Sequence, residues 1–476
     1  MSEQKQFVRA LTLMDSTAIV IGSMIGSGIF IVSADMSRLL GSPGWLIIAW
    51  LITGTMTLIA ALSYGELAGM MPKAGGQYVY LREAFNPLTG FLYGWTMFMV
   101  IQTGTIAAVA MAFAKFTGVL IPWFAPDNYL IKFGFLKVNT LQLLGISSIA
   151  LITFINLKGI KLGKIVQNSF TFTKIAALAG VLLAGFILVK PFQAWSVNTN
   201  YFWDAVTTSG TPITGLALIA AIGTAMVGSV FSSDAWNNIT FTAGEVINPK
   251  RNIPLSLFFG TLIVTVIYIS VNFVYLNILP LRGIESGAGV IEKGIQYASQ
   301  DRVGTAALQA LMGASGAVLM AIFIMISTFG CNNGLILAGS RIYYAMALDG
   351  LFFKSSAKLN SNGVPAKSMI FQAIWCSLLC LSGTYGDLLD YVVFAALLFY
   401  IMTISGIFIL RRKQPDAERP YKAFGYPFLP ALYIILATVM MIVLLIYKPL
   451  YTWPGLMIVL LGLPVYYIWI KMGKKE

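Results

Sequence analysis

The chain has 476 residues, of which 58% are hydrophobic and only 10% are charged. This composition excludes an ordinary soluble protein. The apolar residues form continuous runs, which excludes a membrane β-barrel with its alternating pattern. The chain contains no histidine, and neither a cluster of metal ligands nor a nucleophile–base pair has a recognisable spacing. We therefore expect no enzyme, no cofactor and no bound metal. The net charge of +13 would suggest nucleic acid for a soluble protein, but basic loops explain it in a membrane protein, so no nucleic acid is expected.

Apolar runs of about 20 residues, the length that crosses a bilayer, predict an all-α integral membrane protein with twelve spans. The spans lie at residues 13–35, 45–70, 90–119, 141–157, 165–189, 213–239, 255–279, 308–344, 368–385, 390–411, 425–447 and 452–470. The eighth run is too long for one straight crossing and should extend beyond the membrane on one side. Lys and Arg are concentrated in the segments on the side of the N-terminus, which predicts that residues 1–12 and 471–476 are cytoplasmic.

The first span is interrupted by Gly22 to Phe30, which has three glycines and two serines in nine residues. Each glycine weakens a helix by about 1 kcal/mol relative to alanine. A helix broken inside the membrane offers amide N–H groups on one half and carbonyl groups on the other, which attract an anion and a cation. A free amino acid carries both charges. Gly22 and Gly26 also have the spacing of close-packed membrane helices, and this stretch alone does not decide between the two interpretations.

The fifth span contains Lys174 at a depth of roughly 14 Å, from a rise of 1.5 Å per residue. Gln167, Thr171 and Lys174 have the i, i+4, i+7 spacing of one helix face, which we expect to face the interior of the bundle. The alternative is a structural ammonium that ties helices together through carbonyl groups. Because charges inside a membrane are costly and usually mark pathways, a functional role is favoured.

The sixth span contains a second disruption, Phe231 to Asn238, with five strongly polar residues in eight. A loop entering the membrane at a helix end is the alternative, but the preceding Gly223 and Gly228 indicate a close-packed interior helix. Such a polar stretch cannot face lipid. It predicts a second broken helix inside the bundle.

The two interrupted spans begin two blocks of five spans, 13–189 and 213–411, and the last two spans follow at 425–470. Because five is odd, the second block has the opposite orientation in the membrane. Paired broken helices at corresponding positions of two inverted halves are typical of a transporter binding site.

These motifs together resemble the L-type amino-acid transporter family of the amino acid–polyamine–organocation superfamily. The resemblance covers about residues 10–425 and is carried by Gly22 to Phe30, Pro72 to Tyr80, Phe231 to Asn238 with Gly244-Glu245 and Asn248-Pro249, Phe329 to Gly334 with Ser340-Arg341, and Pro415 to Pro420. It implies the leucine-transporter fold, a 5+5 inverted repeat in which helices 1 and 6 are discontinuous, and transport by alternating access.

The resemblance also implies a substrate site built from both breaks, with Met24, Gly26, Ser27, Gly28, Phe231, Ser232 and Asp234 as its residues. The substrate carboxylate would bind the amides of Ser27 and Gly28. The substrate amine would bind the carbonyl groups of Met24, Phe231 and Asp234. The ring of Phe231 would close over the substrate as a gate.

Lys174 is similar to a lysine of span 5 in many relatives, where the ammonium takes the place of a sodium ion that bridges spans 1, 5 and 8. Thr328 and Cys331 of span 8 are then its expected neighbours, and sodium-independent transport is implied. The loop between spans 3 and 4 lacks the cysteine by which animal relatives bind a glycoprotein partner. We therefore expect no disulfide-linked heavy chain, and a monomer or weak homodimer in a bacterial inner membrane.

The leading hypothesis is a sodium-independent exchanger of neutral L-amino acids. Asp234 leaves an alternative open, because its side chain could cap the broken helix, attract a cationic amino acid or polyamine, or couple transport to protons. A channel or an amino-acid sensor on the same fold is a hypothesis of another class. The sequence has no charged ring or filter-like repeat, and no signalling domain follows the last span.

Overall fold

The computed structural model describes residues 7–133, 136–187, 193–382 and 385–473, and these residues are almost entirely helical. The α-helices are α1 Leu13–Met24, α2 Val32–Leu40, α3 Pro43–Met70, α4 Gln77–Ala84, α5 Pro87–Thr96, α6 Gln102–Leu120, α7 Thr140–Leu157, α8 Ile160–Ile187, α9 Gln193–Thr199, α10 Gly215–Ser232, α11 Asn238–Phe241, α12 Pro249–Ile278, α13 Val290–Lys293, α14 Val303–Met312, α15 Ala314–Leu348, α16 Ala366–Ser382, α17 Tyr385–Lys413, α18 Phe428–Tyr447 and α19 Pro449–Gly473. A π-helical segment, Met97–Ile101, joins α5 to α6, and short 3-10 helices lie at Gly28–Phe30, Ala243–Glu245, Ser299–Asp301 and Lys354–Ala357.

Ten of the described helical segments are long and apolar enough to cross a membrane, counting α5 and α6 as one. This confirms the prediction of a multi-pass helical membrane protein. Two of the twelve predicted spans fall below this length. The first is divided by its break, so that α1 has only 12 residues, and α16 has 17.

The structure differs from the sequence prediction at two other places. A two-stranded antiparallel hairpin, β1 Tyr129–Phe133 and β2 Leu136–Asn139, lies between α6 and α7, where no strand was predicted. The predicted eighth span, 308–344, is two helices. Gly313 has φ +64° and ψ −150°, a conformation that only glycine adopts readily, and it separates α14 from α15. The predicted boundary at residue 189 and the terminal residues 1–6 and 474–476 lie outside the described residues.

The two broken helices occupy the middle of the bundle. Helix α1 packs against α8, α12 and α15, and α10 packs against α2, α3, α17 and α18. A capping box starts α1, in which the Thr12 hydroxyl and the Asp15 carboxylate each bind the other residue's backbone N–H. Lys164 of α8 forms an ion pair with Asp15 at 2.6 Å. These polar contacts hold the beginning of the first broken helix in place. Lys164 can make its contact because α1 lies next to α8 inside the bundle.

Candidate functional site

The first break lies between α1 and the 3-10 helix Gly28–Phe30. The helical ladder ends where the Ile25 amide binds the Ile21 carbonyl, and the Gly26 amide then binds the Met24 carbonyl only two residues back. A new ladder begins with the Phe30 amide on the Ser27 carbonyl. Residues 25–27 are therefore outside any helix, as the sequence predicts. All of Gly22 to Phe30 is buried.

Five consecutive carbonyl groups of this break, those of residues 22–26, accept hydrogen bonds from side chains of other helices. The donors are Lys174 Nζ to Gly22 and Ile25, Cys331 Sγ to Ser23, the Tyr268 hydroxyl to Met24, and the Ser327 hydroxyl to Ile25 and Gly26. These donors come from α8, α12 and α15. Backbone freed from a helix inside a membrane needs such partners, and here three neighbouring helices provide them.

Lys174 is 1% exposed, and its ammonium contacts three carbonyl oxygens. The distances are 2.9 Å to Gly22, 2.8 Å to Ile25 and 3.1 Å to Ser327. Spans 1, 5 and 8 therefore meet at this one cation. Gln167 and Thr171, which precede Lys174 on the same helix face, are also buried, as predicted.

The expected neighbours of Lys174 need one correction. In α15 the ammonium binds the main-chain carbonyl of Ser327, whereas the Thr328 hydroxyl binds the Ile324 and Met325 carbonyl groups of its own helix. Cys331 lies one turn further on and donates to the Ser23 carbonyl at 3.0 Å. A β carbon on Gly26 would lie 3.1 Å from the Cys331 sulfur, so this glycine allows α15 to approach the break.

The second break follows α10, which ends at Ser232, and it precedes the short α11. It is held by its own turns, since the Ser233 and Asp234 amides bind the Val230 and Phe231 carbonyl groups three residues back. Ala235 has φ +64°, a left-handed conformation that costs a residue with a β carbon roughly 1–2 kcal/mol. Phe231, the expected gate, is buried at the end of α10.

The two breaks lie directly against each other. A β carbon on Gly28 would lie 2.0 Å from the Ser232 hydroxyl oxygen and 3.0 Å from the Ser232 α carbon, so only glycine permits this approach. The Tyr268 hydroxyl of α12 lies 3.0 Å from the Met24 carbonyl oxygen and 3.1 Å from the Ser232 carbonyl oxygen. Tyr268 thus touches both breaks. The sequence analysis missed it, because a tyrosine in an apolar span carries no local pattern.

Two of the three carbonyl groups expected to bind a substrate amine accept hydrogen bonds within the protein. The Met24 carbonyl accepts from the Tyr268 hydroxyl, and the Phe231 carbonyl accepts from the Asp234 amide. With the Gly26 amide, the Met24 carbonyl already accepts two hydrogen bonds, and the Phe231 carbonyl lies within reach of the Ser233 amide as well. The Asp234 carboxylate accepts a hydrogen bond from the Tyr400 hydroxyl of α17. The side chain of Asp234 therefore points away from the first break.

A narrow cavity of about 10 Å³ adjoins the second break on the side where Asp234 points. Among its lining residues are Gln77, Tyr93, Gln102, Thr105, Asp234, Asn237, Asn238 and Tyr400. A second narrow cavity of about 20 Å³ adjoins the Asp234–Tyr400 pair, between α3, α10, α17 and α18. The first cavity is rich in amide and hydroxyl groups, so its surface can bind polar groups. Its described lining comes from the second break and its neighbours rather than from residues 22–30.

The end of the bundle that carries the N-terminus is closed by a buried ion pair that spacing alone did not reveal. Arg341 of α15 and Glu245, which follows the second break, are 1% and 2% exposed and lie 3.0 Å apart. The Ala10 and Leu11 amides both bind the Glu245 carbonyl, and the Ile247 amide binds the Leu11 carbonyl. The residues before α1 are thus joined to the segment after the second break. Glu245 and Arg341 belong to two separate sequence motifs, and the fold brings their side chains together.

Known proteins that are similar in sequence to this chain are amino acid transporters. The chain is 29% identical to the mouse b(0,+)-type amino acid transporter 1 over 465 residues, 96% of this chain and 87% of the relative. It is 29% identical to the human large neutral amino acids transporter small subunit 2 over 473 residues, 98% of this chain and 81% of the relative. These relatives confirm the resemblance to L-type amino-acid transporters, and they are transporters rather than enzymes. The sequence profile of the amino acid permease family matches residues 11–469, and the chain therefore belongs to that family.

Proposed function

We propose that this protein is a sodium-independent amino-acid exchanger that works by alternating access, with neutral L-amino acids as its principal substrates. The observation that carries the proposal is the contact between two broken helices in the middle of the bundle, at Gly28 and Ser232. Peptide dipoles at such breaks can bind both charges of a zwitterion. The names of the relatives, which are amino acid transporters, support the same activity.

The proposed architecture has twelve spans in a 5+5 inverted repeat of the leucine-transporter type. The ten long helices support this count, and the proposal adds the divided first helix and the 17-residue α16 as the other two crossings. The two breaks lie in the first helix of each predicted block, 13–189 and 213–411. The excess of Lys and Arg on the side of the N-terminus supports cytoplasmic termini, in a bacterial inner membrane.

Independence from sodium is supported by the contacts of Lys174. Its ammonium lies within 3.1 Å of carbonyl oxygens of Gly22, Ile25 and Ser327, an oxygen-lined position that would suit a small cation if the lysine were absent. We expect equal transport in sodium and in choline buffers. A steep requirement for sodium would contradict the proposed role of the ammonium.

The proposal also includes a transporter without a disulfide-linked partner, as a monomer or weak homodimer. The chain has three cysteines, and Cys331, Cys376 and Cys380 are all buried in the bundle. An intermolecular disulfide needs an accessible thiol, so none of these three is placed to form one.

The test is counter-exchange in proteoliposomes. Vesicles are loaded in turn with each of the common amino acids, and uptake of one labelled substrate is measured. We expect a set of small and medium neutral L-amino acids to drive exchange and D-isomers to fail. Uptake that does not saturate and does not depend on the internal amino acid would indicate a channel and would refute the proposal.

A second candidate function, transport of cationic amino acids or polyamines with proton coupling, is favoured by the carboxylate of Asp234. This group lines the narrow cavity beside the second break and has the Tyr400 hydroxyl as its hydrogen-bond partner. Asp234→Asn keeps the shape and removes the charge. If Asp234 selects cations, this variant loses arginine uptake relative to alanine uptake. An unchanged preference would leave Asp234 as a structural cap of the second break.

A further inference from the structure

A large groove lies on the outside of the bundle, far from both breaks, at the end that carries the N-terminus. It has a volume of about 870 Å³ and lies between α3, α12 and the segment that joins α17 to α18. Its lining consists of Leu58, Leu62, Lys250, Arg251, Pro254, Leu255, Phe258, Pro420, Tyr421, Lys422 and Phe424. The proposed transport cycle makes no use of this groove.

The polar and apolar residues of the groove are sorted by depth. Lys250 and Arg251 lie in the first turn of α12, and Phe258 lies eight residues further, which is about 12 Å deeper at 1.5 Å per residue. Helix α3 runs in the opposite sense and ends at Met70, so Leu62 and Leu58 lie about 12 and 18 Å from that end. Cationic groups therefore line the mouth at the membrane surface, and apolar side chains line the part within the hydrocarbon.

The charge at the mouth is strongly positive. Lys250, Arg251 and Lys422 line it, and in the described part of the chain one acid, Glu418, forms an ion pair with them, at 2.6 Å from Lys250. Arg251 and Lys422 are exposed. The N-terminus of the 30-residue helix α12 adds its own positive dipole.

The wall formed by residues 420–424 is held firmly in place. Glu66 of α3, 1% exposed, binds Arg411 at 2.7 Å and lies 3.3 Å from Arg419. The Ala423 amide donates to the same carboxylate at 2.7 Å. The groove is therefore a preformed feature of the fold.

We propose that this groove is a binding site for an anionic phospholipid of the membrane leaflet on the N-terminal side. The acyl chains lie along Leu58, Leu62 and Phe258, and the phosphate lies between Arg251 and Lys422. A neutral apolar ligand would not need the cationic mouth. A soluble anion would not need the apolar part below it. Basic pockets between membrane helices at this level favour anionic headgroups.

The experiment is competition between two lipids for the purified full-length protein, measured by native mass spectrometry. Phosphatidylglycerol and phosphatidylcholine with identical acyl chains are added in equal amounts. We expect the wild type to retain phosphatidylglycerol in preference. Each basic side chain near a membrane surface contributes about a fivefold factor in affinity, so Arg251→Gln/Lys422→Gln is expected to weaken phosphatidylglycerol binding about 30-fold and to leave phosphatidylcholine unchanged.

Two further variants locate the site. Lys358→Gln/Lys367→Gln removes two exposed lysines outside the groove, one before α16 and one in its first turn, and should leave the preference intact. Leu62→Trp fills the apolar part and should reduce the retention of both lipids, with Phe258→Trp in its place if the first variant is not monodisperse. Equal retention of both lipids by the wild type, an equal loss in the Lys358/Lys367 control, or unchanged binding after the groove is filled would each overturn the proposal. The readout does not involve transport, so it is independent of the proposed function.

Discussion

Removal of the Lys174 ammonium is expected to disable transport while leaving a folded protein. The ammonium donates two hydrogen bonds to the first break, to Gly22 at 2.9 Å and to Ile25 at 2.8 Å. Hydrogen bonds that involve a charged group contribute about 1.5–3 kcal/mol each. At the lower value, the two hydrogen bonds together stabilise the observed geometry of the break by about 3 kcal/mol. Since about 1.4 kcal/mol corresponds to a factor of ten, the population of the competent geometry should fall by about 100-fold.

The assay compares Lys174→Ala and Lys174→Met with the wild type in counter-exchange at equal protein per vesicle. The methionine variant keeps most of the side-chain volume. If both variants lose exchange activity, the cause is therefore the missing charge and not a cavity left by the smaller side chain. Lys115→Ala serves as the control, because Lys115 is a partly buried lysine of α6 outside both breaks. Size-exclusion profiles check that each variant is folded. Wild-type rates for Lys174→Met would refute the role assigned to the ammonium.

Three further substitutions test the contacts around the breaks. Tyr268→Phe removes the hydroxyl that touches both breaks. At about 1 kcal/mol per hydrogen bond, the exchange rate should fall about fivefold, while the melting temperature should change by no more than a few degrees. An unaltered exchange rate would contradict this role of Tyr268. Glu245→Gln leaves Arg341 buried without a counter-charge. In a denaturation assay this should lower the free energy of unfolding by about 3 kcal/mol. Glu418 belongs to an exposed ion pair, so the control variant Glu418→Gln should have little effect on the free energy of unfolding. Ala235→Val places a β-branched residue at φ +64° and should destabilise the fold by about 2 kcal/mol, whereas Ala235→Gly should stay within about 1 kcal/mol of the wild type.

The two breaks were predicted from local composition only when both stretches were considered together, because the first stretch alone also fitted a helix-packing motif. The glycines at 22, 26 and 28 each weaken a helix by about 1 kcal/mol relative to alanine, and the polar run at 232–238 cannot face lipid. The interior face of the fifth span followed from helical spacing alone, with Lys174 buried as expected. These features depend on residues close together in the chain, which is why a single sequence reveals them.

Contacts between distant segments could not be predicted in this way. Tyr268 lies 244 residues from its partner Met24, and the pairing of Arg341 with Glu245 spans 96 residues. Lys174 binds the main-chain carbonyl of Ser327, and a main-chain contact between two distant helices leaves no mark on the identity of the residue. The two strands at Tyr129–Phe133 and Leu136–Asn139 were not predicted, because they are short and lie between two apolar spans.

The two breaks are stabilised in different ways, and this difference bears on their roles. The first has carbonyl groups held by side chains of α8, α12 and α15, so any movement of α1 relative to these helices must exchange several hydrogen bonds together. The second is closed by its own three-residue turns, which leaves the polar side chains around Asp234 to line a cavity. Tyr268 links the two. A ligand that alters the turn after Ser232 therefore changes a hydrogen bond shared with Met24, and the three helices that hold the first break are affected through that single hydroxyl.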